Sequence, residues 1–252
     1  MCGVFSLGLA ISAHADLNLV LNGNFTSFTT TGPGVGNSEK LAANTLSDWV
    51  NNTQIPTAYE GNGGLGYNYV YTPDAGGNFN YSGGAKEMWN ASNGGVDGFG
   101  QIPGYTGNII GLDGAYQQGA LTQTITGLTP GDIYHVDFDY AGAQQYTFTG
   151  NTTEALKVDL GNSPAQTTPV LHNQSHGFTG WYGETMTFTA DSTSEVLSFL
   201  AVGTPDGEPP FSFLGDVSIV TAPEPSSVIG GSLVVLALGA GSIRKFRKQK
   251  QA

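Results

Sequence analysis

The chain has 252 residues, with 20 acidic against 8 basic side chains, a net charge of −12 at neutral pH, 38 glycines and one cysteine. It lacks the basic footprint that a phosphate backbone requires, which excludes nucleic acid as a partner and leaves neutral sugars, cations and hydroxyl-rich polymers. Residues 1–15 are apolar and end in Ala13-His14-Ala15, the small-x-small pattern of a signal-peptidase site, so the first element reads as a secretory leader. No Lys or Arg precedes Lys40, so the positive region expected ahead of such a leader is missing; a start further upstream and a fragment are both consistent with this. Cleavage after Ala15 removes Cys2 and leaves no cysteine, which rules out disulfides, thiol catalysis and cysteine-based zinc sites in the exported part.

Residues 16–221 form the exported part and suit one large all-β domain. They hold three lysines (Lys40, Lys86 and Lys157) against nineteen acidic residues, a net of −16. The stretch 61–107 is rich in Gly, Asn and Tyr and reads as a long insertion of loops with one hairpin near 66–72. After it, apolar and polar residues alternate with period two. Tyr134, Val136, Phe138 and Tyr140 fall on one face and His135, Asp137 and Asp139 on the other. The same alternation runs through Leu121, Gln123 and Ile125, through Leu156, Val158 and Leu160, and through Tyr182, Glu184, Met186 and Phe188. Leu197 and Phe199 oppose Val196 and Leu200, which predicts a strand buried on both faces; the last strand covers 211–220. Turn signals such as Thr129-Pro130-Gly131-Asp132 and Pro205-Asp206-Gly207 separate these runs. Short strands at this spacing predict an antiparallel β-sandwich.

His135, Asp137 and Asp139 share a strand face and could hold a metal or act in acid–base chemistry, though such alternation is commoner as a solvated face. His172 and His176 are four apart in a loop-like context, where that spacing has no geometric meaning, and no Glu lies between them. No nucleophile elbow, phosphate loop or dinucleotide fingerprint occurs, and the expectation is a protein without enzymatic activity. Tyr67, Tyr69, Tyr71, Tyr81, Trp89 and Tyr105 in the insertion are the candidate ligand-binding residues. Sugar rings stack on aromatic faces while neighbouring amides and carboxylates take the hydroxyls. The alternative is that these rings cover the core beneath the loops.

Several segments together resemble galactose-binding-like jelly-roll domains of the kind found in carbohydrate-binding modules. They are Leu19-Val20-Leu21-Asn22-Gly23-Asn24-Phe25 at the start, Trp49, Leu128-Thr129-Pro130-Gly131-Asp132-Ile133-Tyr134, and the closing Gly215-Asp216-Val217-Ser218-Ile219. The resemblance implies a jelly-roll β-sandwich. It also implies a structural calcium between the opening and closing strands, held by Asn22, Asn24 and Asp216. Thr26 stands where that family usually has Glu, which removes a carboxylate from the expected set.

The tail reads Ala222-Pro223-Glu224-Pro225, then an uncharged apolar run over 226–243, then Arg244-Lys245-Phe246-Arg247-Lys248-Gln249-Lys250. Eighteen helical residues span about 27 Å, just enough for a bilayer core, and the basic cluster keeps the C-terminus cytoplasmic. Gly230, Gly231, Gly239 and Gly241 make it a weak helix, suited to a transient anchor. Pro223, Glu224 and Pro225 followed by the helix and by Arg244, Lys245, Arg247 and Lys248 resemble the PEP-CTERM sorting signal. That resemblance implies processing by an exosortase, a transient stay in the inner membrane, and delivery to the cell surface or the extracellular polysaccharide matrix. Signal peptidase, exosortase and the matrix polysaccharide are the expected partners.

Overall fold

β-branched and aromatic residues at period two, broken by Gly, Pro and Asn turns, leave the chain little choice but strands. The computed structural model describes residues 17–29, 38–41, 45–52, 65–73, 86–95 and 100–223, and there the regular elements are strands paired antiparallel throughout. They are β1 (Ser38–Lys40), β2 (Val50–Asn51), β3 (Asn68–Tyr71), β4 (Ile109–Asp113), β5 (Leu121–Thr126), β6 (Ile133–Gln144), β7 (Thr152–Leu160), β8 (Gln166–Thr167), β9 (Leu171–Asn173), β10 (Tyr182–Thr189), β11 (Ser194–Thr204) and β12 (Pro210–Thr221). The front sheet runs β1-β3-β4-β12-β6-β10. The back sheet runs β2-β5-β11-β7, after which β8 and β9 pair with different stretches of β7. The compact unit ends at Thr221.

The inward residues of the two sheets make the main core. Val136, Phe138 and Leu214 from the front meet Leu156, Val158, Leu197 and Phe199 from the back. Phe138 and Phe199 cross edge to face at 5.2 Å, and Trp49 closes one side against Phe25 and Phe199. Each such aromatic or branched side chain stabilises the fold by about 1.5–3 kcal/mol on burial. β6 behaves as its alternation predicts, with Tyr134, Val136, Phe138 and Tyr140 buried and His135, Asp137 and Asp139 outward and half-covered.

Two expectations change. Val196 and Val202 on β11 are 45% and 41% exposed, so that strand buries one face; the back sheet has no layer over its outer side at these residues. The expected hairpin near 66–72 is instead the single strand β3, inserted between β1 and β4. Every residue of β3 is buried because both faces of the front sheet are covered there. Val70 joins the main core, whereas Tyr69 and Tyr71 join a second one with Met88, Ile109, Phe178, Phe211 and Phe213 on the outer face. Residues of the Gly/Asn/Tyr-rich stretch, Met88, Ile102 and Tyr105 among them, supply that cover. Tyr71 meets Phe213 edge to face at 5.3 Å.

The opening segment lies along β12. Leu19 N–H donates to Ile219 O and Val217 N–H to Gly23 O. A Cβ on Gly23 would sit 2.0 Å from the Val217 carbonyl oxygen, so only glycine permits this crossing. Among the described residues no helix is long and apolar enough to cross a membrane. The leader at 1–15, Tyr81, Glu224, Pro225, the apolar run 226–243 and the basic residues from Arg244 onward lie outside the described residues, and Pro223 is the last residue within them.

Candidate functional site

Four loop segments and Tyr67, the residue before β3, meet in an open groove of about 400 Å³ beside the second core. Its walls are Tyr67, Tyr116, Phe148 and Pro209, with Lys86, Gln145 and Asp206 as polar groups. That volume lies within the range of about 300–1,000 Å³ usual for ligand sites, and the make-up of apolar walls with few polar groups is also usual. Tyr67 is fixed edge to face against Tyr69 at 4.9 Å and stands 6.5 Å from Tyr116. The Lys86 ammonium sits 4.7 Å above the Tyr67 ring centre, a cation–π contact that holds the ring and offers a donor to the groove.

The loop bearing Tyr116 is organised by Asp113, a buried residue ending β4. Its Oδ1 accepts from the backbone N–H groups of Ala115 (3.0 Å) and Tyr116 (3.1 Å), and its Oδ2 from that of Gln117 (3.0 Å). Burial pushes the Asp113 carboxyl above the usual carboxylate range, against the pull of these three donors, and the nearby Asp206 charge adds to the rise. Tyr116 is left 38% exposed at the mouth of the groove.

The loop bearing Gln145 and Phe148 follows β6. Thr147 within it has φ +77°, a conformation disfavoured for a β-branched residue and held here by its surroundings. Thr149 N–H donates to Glu208 Oε2 (2.8 Å), Gln144 Nε2 to Gly150 O (2.9 Å), and Gly150 N–H to Ser175 Oγ (2.9 Å).

Of the six expected aromatics, Tyr67 lines the groove. Tyr69 and Tyr71 are buried under the outer layer and present no surface to a ligand, because β3 is an interior strand; for these two the expected glycan contact is corrected to a packing role. Tyr105 packs on the second core and donates its hydroxyl to Asn108 O (2.6 Å); burial, first, raises its phenol well above the ordinary range. Trp89 stands behind the groove, its indole N–H donating to Phe148 O at 2.6 Å. Tyr116, Phe148, Gln145 and Asp206 were missed by sequence reasoning. The aromatic-and-amide runs Tyr116-Gln117-Gln118 and Gln144-Gln145-Tyr146-Thr147-Phe148 were the available signal.

Two of the expected calcium ligands, Asn22 and Asn24, hold hydrogen bonds through their side chains. Asn22 Nδ2 donates to Ser27 O and Ser47 O, and its Oδ1 accepts from Ser27 N–H. Asn24 Oδ1 accepts from Thr26, the residue standing in place of the expected Glu. The carbonyls of Asn22, Gly23 and Asn24 accept from Phe25, Val217 and Asn108. Asp216 is exposed at the bulge of β12 with φ +49°. Calcium takes six to eight oxygens, several of them charged, and Asp216 is the carboxylate among the three expected ligands. Among the described residues no group of three or more His, Cys, Asp or Glu could hold a metal.

The outward row on β6 is a solvated face: Thr185 Oγ1 donates to Asp137 Oδ1 (2.5 Å), while partial burial and the Asp216 charge raise the Asp139 carboxyl. His172 is exposed on β9 whereas His176 turns inward, so the two do not form a pair.

No protein-family model matches the sequence, and no curated protein matches it. Among solved structures, the chain is similar to a cyclase from Fischerella sp. TAU in complex with 4-(1H-indol-3-yl)butan-2-one, at 13% identity and TM-score 0.49 over 82% of this chain and 98% of that one. It is also similar to TmCBM61 in complex with β-1,4-galactotriose, at 16% identity and TM-score 0.32 over 46% of this chain and 72% of that one. The N-terminal cellulose-binding domain from Cellulomonas fimi β-1,4-glucanase C matches at 16% identity and TM-score 0.29 over 48% of this chain and 82% of that one. Carbohydrate-binding modules are thus among the structural neighbours of this all-β sandwich.

Proposed function

We propose that the protein is an exported, non-catalytic carbohydrate-binding module of galactose-binding-like jelly-roll type, sorted by an exosortase through its PEP-CTERM tail. On this reading it is retained in the extracellular polysaccharide. The observation that carries it is the groove: Tyr67, Tyr116 and Phe148 offer ring faces and edges, while Gln145, Asp206 and Lys86 offer acceptors and donors for hydroxyls. Asp206 is the carboxylate among the described lining residues, where glycoside hydrolysis as commonly performed draws on two facing carboxyl groups, so the reading is of binding without turnover. The strongly acidic composition points to a neutral rather than an anionic polymer.

The test is a pull-down with soluble galactan, β-glucan and xylan, in parallel with Tyr116→Ala and Phe148→Ala. Each substitution removes an aromatic wall and is expected to weaken binding about tenfold, or about 1.4 kcal/mol. Wild-type affinity in both folded variants would refute the groove as the site. No binding of any polymer by the wild-type protein would refute the module itself and leave a structural matrix protein.

A further inference from the structure

Trp89 stands next to the groove, half-buried and outside the residues that line it. One face of its indole is covered by the His176 ring, stacked with centroids 3.8 Å apart and 26° between planes. Tyr146 meets it edge to face at 4.6 Å. Its N–H is spent on the carbonyl of Phe148. The backbone on either side is clamped as well: Trp89 N–H donates to Gln144 O (3.0 Å) and Tyr146 N–H to Glu87 O (2.8 Å), which lays residues 87–89 alongside 144–146 as a short antiparallel pair. The indole bond lands one residue after Thr147, where the backbone holds its positive φ. A loop in that conformation relaxes unless its neighbours over-determine it.

We infer that Trp89 is the positioning residue of the groove, setting Phe148 through the indole–carbonyl bond and the clamp on the 145–150 loop, and making no contact with ligand itself. This rests on the groove being the binding site. It replaces the expectation that Trp89 is a stacking platform with a role one step removed, and it makes His176 the backstop of the indole.

Trp89→Phe keeps an aromatic ring beside His176 and Tyr146 and removes the N–H donor, together with part of the indole's stacking area. Two measurements on the full chain test the inference. In amide hydrogen exchange, protection over residues 145–150 is expected to fall about tenfold in Trp89→Phe while β4, β6 and β12 keep theirs; unchanged loop protection would overturn the inference. In a double-mutant cycle, read by retention on soluble galactan, β-glucan and xylan, Trp89→Phe alone is expected to weaken binding about five- to tenfold. It should do nothing further in a Phe148→Ala background. Additive losses would overturn the inference, since they would mean that Trp89 acts independently of Phe148. If Tyr116→Ala and Phe148→Ala leave binding intact, or no polymer binds, the groove reading falls and takes this role with it. Groove variants that lose binding alongside an additive Trp89→Phe sink the positioning role alone.

Discussion

Glu154→Gln should make the protein more stable, and increasingly so as the pH rises. Glu154 lies on β7 between the sheets and is 1% exposed. Its Oε1 accepts from the Thr152 hydroxyl, while Oε2 has no hydrogen-bond partner. It faces Gly142, where a Cβ would come within 2.6 Å of that oxygen. Burial pushes the carboxyl from 4.5 up to about 8, with the Thr152 bond pulling weakly the other way. A carboxyl raised in the folded state binds its proton more tightly there than in the unfolded chain. Its stabilising contribution is therefore complete below about pH 4.5 and is lost progressively as the pH climbs to about 8. At about 1.4 kcal/mol per pH unit, the loss by pH 7 is about 3 kcal/mol. Glutamine has the same shape and cannot titrate, so the variant escapes this loss. Urea unfolding followed by tryptophan fluorescence should show the variant near wild type at pH 4, ahead by about 3 kcal/mol at pH 7, and level in its advantage above about pH 8. The difference between the two proteins isolates this group from the many other carboxylates. A difference that is flat from pH 4 to pH 9 would refute the reasoning, for it would mean that Glu154 reaches solvent or a partner when charged.

Asp113→Ala removes the acceptor of three backbone N–H groups, with a cost of about 3 kcal/mol or more in thermal unfolding, and it should weaken polysaccharide retention by freeing Tyr116. Asp113→Asn keeps an acceptor for two of the three and should fall between; equal stability of wild type and Asp113→Ala would refute the role. Combined Pro223→Ala, Glu224→Ala and Pro225→Ala should hold the protein in the membrane fraction instead of the cell surface or matrix, read by fractionation. Unchanged delivery would refute the sorting reading.

β5, β6, β7 and β10 were legible because each has one apolar face, and a period of two survives any sheet arrangement. The segment 133–140 shows this, with four buried and three outward residues where the alternation places them. β3 was illegible for the opposite reason. Tyr69 and Tyr71 read as exposed aromatics in a glycine-rich loop, and nothing local says that Met88 and Phe178 will cover them. Trp89 reads as a stacking platform from its neighbours in sequence, and nothing local announces the His176 ring that stacks on it from far along the chain.

What the sequence determined by itself is the all-β fold class and the acidic character of the chain. Both rest on composition or on patterns within a few consecutive residues. Tertiary structure alone decided that Tyr67, Tyr116, Phe148 and Asp206 share one groove and that Glu154 is sealed between sheets. Those groups are brought together by strand order and register, which depend on how two sheets bury their inner faces against each other and not on any spacing along the chain.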